Sequence, residues 1–353
     1  MLVTTPNVGS SGTVAVDRGY TATAISQRLI GNFTSTTATY TAGWNGAVTL
    51  GYNYLAHGQV SFDPGTTNLA QTLNFGTWLA GSGPQTQSFD VYNRQLQPIA
   101  GNQISIDLNG VTGIGNTGAL STDLVGGVSL QNVAAGSSGS GTATFDTSAT
   151  GSYSAQYTLG FGDDSAAPGA APASLFGSTT PVVGSNYIAT LDLVGSVVDH
   201  AAPSFTNVSN PLDAVTDLAL AMGIGGAGPS TTFDIFNLLG DRVGLEFAGC
   251  GMSGDTAAFT IGLCGLPAGS LINPGDFFAS TASFDMSVPK ASATYDFVFV
   301  DNTAGGINGT PLFYDLTLNI SGVGNAQSVP EPGTLALLGA GIFGMWRRRN
   351  RAV

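Results

Sequence analysis

Along most of the chain, apolar residues alternate with Ser, Thr, Asn and Asp in short runs; residues 103–108 (QISIDL) and 189–194 (ATLDLV) are examples. A period of two puts one set of residues on each face of a strand. Gly, Asn, Asp and Pro break the runs at short intervals, which is the texture of many short strands and hence of a sandwich or barrel. The polar positions carry hydroxyls and amides, so strand edges lack the lysines that usually discourage edge pairing. Residues 210–222 (NPLDAVTDLALAM) open with an Asn-Pro start suited to a helix. Their place in the repeat described next makes them a strand region instead.

The pattern recurs. Residues 57–62 (HGQVSF) and 200–205 (HAAPSF) are 143 apart, and 89–93 (FDVYN) and 233–237 (FDIFN) are 144 apart. Gly83-Pro84 precedes one member of the second pair and Gly228-Pro229 the other. Residues 154–161 (SAQYTLGF) match 292–299 (SATYDFVF) at 138, with Asp163 and Asp301 following in step. Residues 187–195 (YIATLDLVG) match 314–322 (YDLTLNISG) at 127. The order is kept, and the falling offsets fit deletions in loops. Near the N-terminus, 37–44 (TATYTAGW) is like SAQYTLGF, and 48–57 (VTLGYNYLAH) aligns without gaps to 191–200 (LDLVGSVVDH). The expected organisation is the latter part of one unit over 1–57, a full unit over 58–200, another over 201–323, and a linker with a tail over 324–353.

Within the units, Tyr157, Leu159 and Phe161 and their counterparts Tyr295, Phe297 and Phe299 fall at alternate positions, so each set faces one core. They read as core rather than as a ligand platform. The expected fold class is all-β: tandem immunoglobulin-like β-sandwich modules followed by a short C-terminal hydrophobic helix. Residues 73–93 (LNFGTWLAGSGPQTQSFDVYN) have an Asn-Phe-Gly strand, a Gly-Ser turn and an S-F-x-hydrophobic-x-N strand. This segment resembles the opening strands of Hydin-like, choice-of-anchor immunoglobulin modules. The later unit departs from it, with LAMGI at 220–224 in place of LNFGT.

Charge narrows the partners. The chain has 9 basic and 22 acidic residues, a net charge of −13, and four of its arginines stand in the last seven positions. The remaining body is more acidic still and cannot neutralise phosphates, which excludes nucleic acid as a partner. A hydrophobic share of 42% is too high for a disordered chain, and 51 glycines without a three-residue period exclude collagen. Two histidines and two cysteines leave little material for a metal or redox centre, and no cofactor is expected.

The last residues change character. Ser328 is followed by Val329, Pro330, Glu331 and Pro332, then by the uncharged run 335–346 (LALLGAGIFGMW), then by Arg347, Arg348, Arg349 and Arg351. The run contains Leu335, Leu337, Leu338, Ile342, Phe343 and Trp346. As a helix it spans roughly 18 Å, against a hydrocarbon core of ~30 Å. It suits a transient hold on the membrane better than a permanent one, with the arginines kept on the cytoplasmic side. The two prolines flanking Glu331 keep that segment extended, the form in which a protease reads a chain. Motif, apolar run and basic end together resemble the PEP-CTERM sorting signal of Gram-negative bacteria. The resemblance implies recognition of Pro330, Glu331 and Pro332 by an exosortase-type membrane protease, with 335–346 as the temporary anchor. Export is then expected through the inner membrane to the cell surface or the extracellular space. Residues 1–30 contain no basic start followed by an apolar run of signal-peptide length. The expectation is therefore that Met1 lies inside a longer protein.

Other candidate chemistry is thin. His57 and His200 occupy equivalent positions and read as structural, bonding a turn at a unit junction. Cys250 and Cys264 are expected to pair outside the cytoplasm across a hairpin turning at 252–255, with a stabilisation of about 3 kcal/mol for such a loop. Asp163-Asp164 and Asp301-Asn302 lack the spacing of a Ca²⁺ loop and read as turn residues. No nucleophile elbow, zinc-protease motif or phosphate loop is present, and Glu246 is the one Glu ahead of the tail. The expected function is a non-catalytic surface or matrix protein associated with exopolysaccharide or biofilm. The competing expectation is a secreted hydrolase or carbohydrate-binding fragment whose catalytic part lies upstream of Met1.

Overall fold

The computed structural model describes residues 33–39, 49–54, 56–96, 103–125, 130–164 and 188–325. Strands β1 (Phe33–Thr39) and β2 (Thr49–Tyr54) pair antiparallel, with Thr37 opposite Gly51. The chain divides into two compact units: Met1–Asp199 with Ala304–Thr310, which includes this pair, and His200–Thr303 with Pro311–Val353.

Unit 1 continues with β3 (Val60–Ser61), β4 (Ala70–Leu79), β5 (Gln85–Asn93), β6 (Ile106–Gly115), β7 (Leu120–Thr122), β8 (Ser138–Phe145), β9 (Gly151–Asp163) and β10 (Ile188–Val198). One sheet has the order β3-β5-β8-β7; the other has β4-β10-β9-β6, with the two-residue strand Ile307–Asn308 on the outer side of β4. Within the second sheet, β4 and β10 run parallel, while β10, β9 and β6 are antiparallel. Alternation in the sequence becomes burial in the fold. Ala155, Tyr157, Leu159 and Phe161 of β9 face Phe89, Val91, Ala143 and Phe145 of the other sheet in one apolar cluster. Phe75 and Phe145 meet across the sheets with ring centroids 5.5 Å apart. Each such ring contributes on the order of 2 kcal/mol by burial.

Unit 2 contains β11 (Pro203–Ser204), β12 (Asp217–Gly223), β13 (Ser230–Asn237), β14 (Gly244–Gly254), β15 (Phe259–Ile261), β16 (Leu271–Ile272), β17 (Phe277–Phe284) and β18 (Lys290–Asn302). It closes with β20 (Phe313–Val323), the strand after β19 (Ile307–Asn308) of the unit 1 sheet. Its sheets are ordered β11-β13-β17-β15 and β12-β20-β18-β14-β16, with β12 parallel to β20. Apart from the short edge strands β16 and β19, this is the order of unit 1. Phe233 stacks on Phe297 at 6.0 Å, and Phe205 meets the same ring edge-on at 6.4 Å.

The stretch 210–222 resolves as the repeat demands. Asn210 caps a single 3-10 turn, Pro211–Asp213, by accepting from the Leu212 amide, and β12 follows. In β4, the Asn74 side chain accepts from the Gly76 amide, and Gly76 takes φ +75°, where the register against β10 slips. The Asn-Phe-Gly signature therefore encodes a bulge, since glycine enters that region without a steric penalty. β12 lacks it and pairs with β20 in unbroken register from Asp217 to Gly223.

The hairpin expected between the cysteines does not form. β14 pairs with β18 and β16, whereas β15 pairs with β17 in the opposite sheet. The chain crosses between sheets over the 3-10 turn Thr256–Ala258.

Candidate functional site

The motif residues that repeat in the sequence converge on three hydrogen-bonded knots, each present once per unit. In the first, His57 Nδ1 lies 2.5 Å from Asp163 Oδ2, and the Gly58 amide donates to Asp163 Oδ1 at 3.1 Å. In unit 2, His200 Nδ1 lies 2.6 Å from Asp301 Oδ2, the Ala201 amide donates to Oδ1 at 2.8 Å, and the Leu312 amide and Tyr314 hydroxyl donate as well. Both carboxylates are fully buried and both imidazoles are only partly covered. Each histidine therefore bonds a carboxylate near the end of a strand distant in sequence. A buried carboxylate persists only with such partners.

The second knot is the last residue of the S-F-x-hydrophobic-x-N strand. Asn93 is completely buried; its Oδ1 accepts from the Gln59 amide and Gln103 Nε2, and its Nδ2 donates to the carbonyls of Ile104 and Val133. Asn237, equally buried, accepts from the Ala202 amide and donates to the carbonyls of Val243 and Ile272. One amide side chain thus ties three chain segments together in each unit. The third knot is the serine of the His-x-x-x-Ser-Phe motif. Ser61 Oγ accepts from the amides of Asp63 and Asn68, and Ser204 Oγ from those of Thr206 and Val215. These serines and asparagines carry no functional signal in sequence beyond their repetition.

Cys250 lies on β14 and Cys264 in the 3-10 turn Gly262–Gly265; they form a disulfide with Cα atoms 5.3 Å apart. The bond joins β14 of one sheet to the 3-10 turn that follows β15 of the other. Residues 245–264 correspond without gaps to 106–125. The register slip falls at Phe247/Gly249 in one and Leu108/Gly110 in the other, and the pairings Phe259–Phe284 and Leu120–Phe145 match. By that correspondence, unit 1 has Val111 and Val125 where unit 2 has the cysteines.

Among the described residues, no group of three or more His, Cys, Asp or Glu side chains could hold a metal ion. A shallow groove of about 450 Å³ crosses the outer face of the larger unit 2 sheet, lined by Ala219, Ala221, Ser253, Thr294, Asn319 and Ser321 among others, with no ionisable side chain in the lining. Asp63 has its carboxyl held below the usual range, first by the Thr66 amide and then by that of Gly65. Burial pushes the phenols of Tyr157 and Tyr295 above their ordinary range.

The tail lies outside the described residues, and with it Val329, Pro330, Glu331, Pro332, the apolar run 335–346, the terminal arginines and the helix expected there. Among the described residues, no helix is long and apolar enough to cross a membrane. Comparison with protein families finds the PEP-CTERM protein-sorting motif at residues 328–349. The motif implies recognition by an exosortase, a membrane protein, and with it export and sorting to the cell surface. No curated protein matches the chain significantly.

Solved structures with partial likeness include CfaE, the adhesive subunit of the CFA/I fimbria of enterotoxigenic Escherichia coli. It shows 6% identity, 72% of this chain and 98% of that one covered, and a TM-score of 0.30. The VesB protease of Vibrio cholerae gives 17% identity and a TM-score of 0.23; the match covers 42% of this chain and 37% of that one. A protein of unknown function from Porphyromonas gingivalis W83 gives 12%, 68% and 91% coverage, and 0.21. TM-scores this low do not establish a shared fold.

Proposed function

We propose that the chain is a non-catalytic, exported surface or matrix protein whose immunoglobulin-like modules are cargo for an exosortase-type protease acting at the C-terminal tail. The observation that carries this reading is the sorting motif at residues 328–349. The modules are proposed to occupy 58–200 and 201–323. The strand orders β3-β5-β8-β7 and β10-β9-β6 correspond to the ABED and GFC sheets of an immunoglobulin sandwich, and those of unit 2 correspond likewise. Residues 1–57 are proposed to end another module. In support, Thr37 pairs with Gly51 as their aligned counterparts Ser154 and Val194 pair in unit 1.

Engagement of the repeated polar residues favours a scaffold over a catalyst. The histidines, aspartates and asparagines that recur are held by one another and by backbone groups. An acidic surface with hydroxyls in place of lysines suits a hydrated polysaccharide matrix, and exopolysaccharide is the proposed surrounding. The test is the mature C-terminus. Expressed with a signal peptide in a host that has the sorting protease, the protein is expected to lose its last ~25 residues, read by mass spectrometry of secreted material. Replacing Pro330, Glu331 and Pro332 with Ala is expected to leave it held at the membrane. Unchanged release after that replacement overturns the sorting role.

A further inference from the structure

We infer that Cys250 and Cys264 form a redox latch that closes the β14–β15 crossing of unit 2 only in an oxidising compartment, while unit 1 is blind to redox state. Three observations carry it. The disulfide links β14, on one side of the crossing at residues 255–258, to the 3-10 turn Gly262–Gly265 that follows β15 on the other. Both cysteines are only half-buried, so a disulfide reagent can reach them. The same crossing in unit 1 has valines at both positions and is held by the Tyr157 hydroxyl donating to the Leu120 carbonyl at 2.7 Å, whereas Tyr295 reaches only the Thr256 carbonyl, at 3.4 Å. Unit 2 thus combines a longer tyrosine hydrogen bond with a covalent tie that needs an oxidant.

Closure balances through exchange with a protein or small-molecule disulfide. One cysteine thiolate attacks that disulfide and forms a mixed disulfide. The second thiolate displaces it, and the oxidant leaves as two thiols carrying both electrons and both protons. The sense of the switch, open in the cytoplasm and closed after export, rests on the export reading above; the latch itself does not.

The test is amide hydrogen exchange on the purified full chain in detergent, oxidised and after reduction. Reduction is expected to speed exchange over 255–266, including the amides of Ala258, Leu263 and Leu266, by at least about tenfold, with 116–125 unchanged. Glutathione disulfide is expected to restore the slow rates with a loss of two hydrogens in mass. Cys250→Ser/Cys264→Ser is expected to exchange like the reduced protein in both conditions. Equal rates in both redox forms overturn the latch, as does a change spread equally over both units, or two thiols that stay open to alkylation after treatment with glutathione disulfide. Failure of the export reading looks different: both thiols are alkylated inside cells, yet the purified chain still latches on oxidation.

Discussion

The two units follow the same backbone path and close it by different means. Where unit 2 adds the strand β16 beside β14, unit 1 makes a single bridge between Ile106 and Val133. Where unit 2 has the disulfide, unit 1 has Val111, Val125 and the shorter tyrosine hydrogen bond. The knots built on Asn93 and Asn237 are nearly the same in both. The lesson is that buried amides and buried carboxylates fix the path, while the tie at the edge differs between the units.

The harshest way to break this comparison is to remove the shared knot. Asn93→Ala and Asn237→Ala each orphan several buried backbone groups and are expected to cost about 3–5 kcal/mol. Denaturant titration read by hydrogen exchange separates the units; a cost below about 1 kcal/mol in one of them ends the equivalence. Grafting the tie sharpens it. Val111→Cys/Val125→Cys is expected to form a disulfide in unit 1 and stabilise it by about 2–3 kcal/mol, checked by non-reducing mass and the unfolding midpoint. Two persistent free thiols would show that the shared register stops short of the side chains.

Smaller still is Tyr157→Phe, expected to cost about 1 kcal/mol, with Tyr295→Phe costing less because its bond is longer. Both phenols sit above their ordinary range through burial, so their contribution is whole below pH 10 and is lost as pH rises through the folded-state value. Absorbance titration of the phenolates checks the order, the variants lacking the late step. The smallest effect belongs to Asp63, which is exposed. Its carboxyl is held low by the Thr66 and Gly65 amides, so its contribution is present at neutral pH and fades as pH falls below the ordinary carboxylate range. Asp63→Asn is expected to flatten the acid limb of unit 1 stability slightly, with unit 2 unmoved.

Much of the architecture was legible because alternation reports burial directly; QISIDL and ATLDLV lie in or beside β6 and β10. The sorting motif was legible because its chemistry is contiguous. The pairing of His57 with Asp163 was not, since 106 residues separate them and only the fold brings them together. The cysteines misled about local structure. A Gly-Asp turn between two thiols looks like a hairpin, but each flanking strand finds its partners in a different sheet. The gapless correspondence of 106–125 with 245–264 was available through Gly110, Gly115 and Leu124 against Gly249, Gly254 and Leu263, yet those identities are sparse in so glycine-rich a chain.

The parallel pairing of the first long strand of each unit with its last has a mechanical consequence. β12 and β20 lie side by side through seven consecutive residue pairs. Tension applied to the two ends of the unit pulls them past each other lengthwise. Their hydrogen bonds then bear load together, as rungs in shear, instead of opening one by one like a zip.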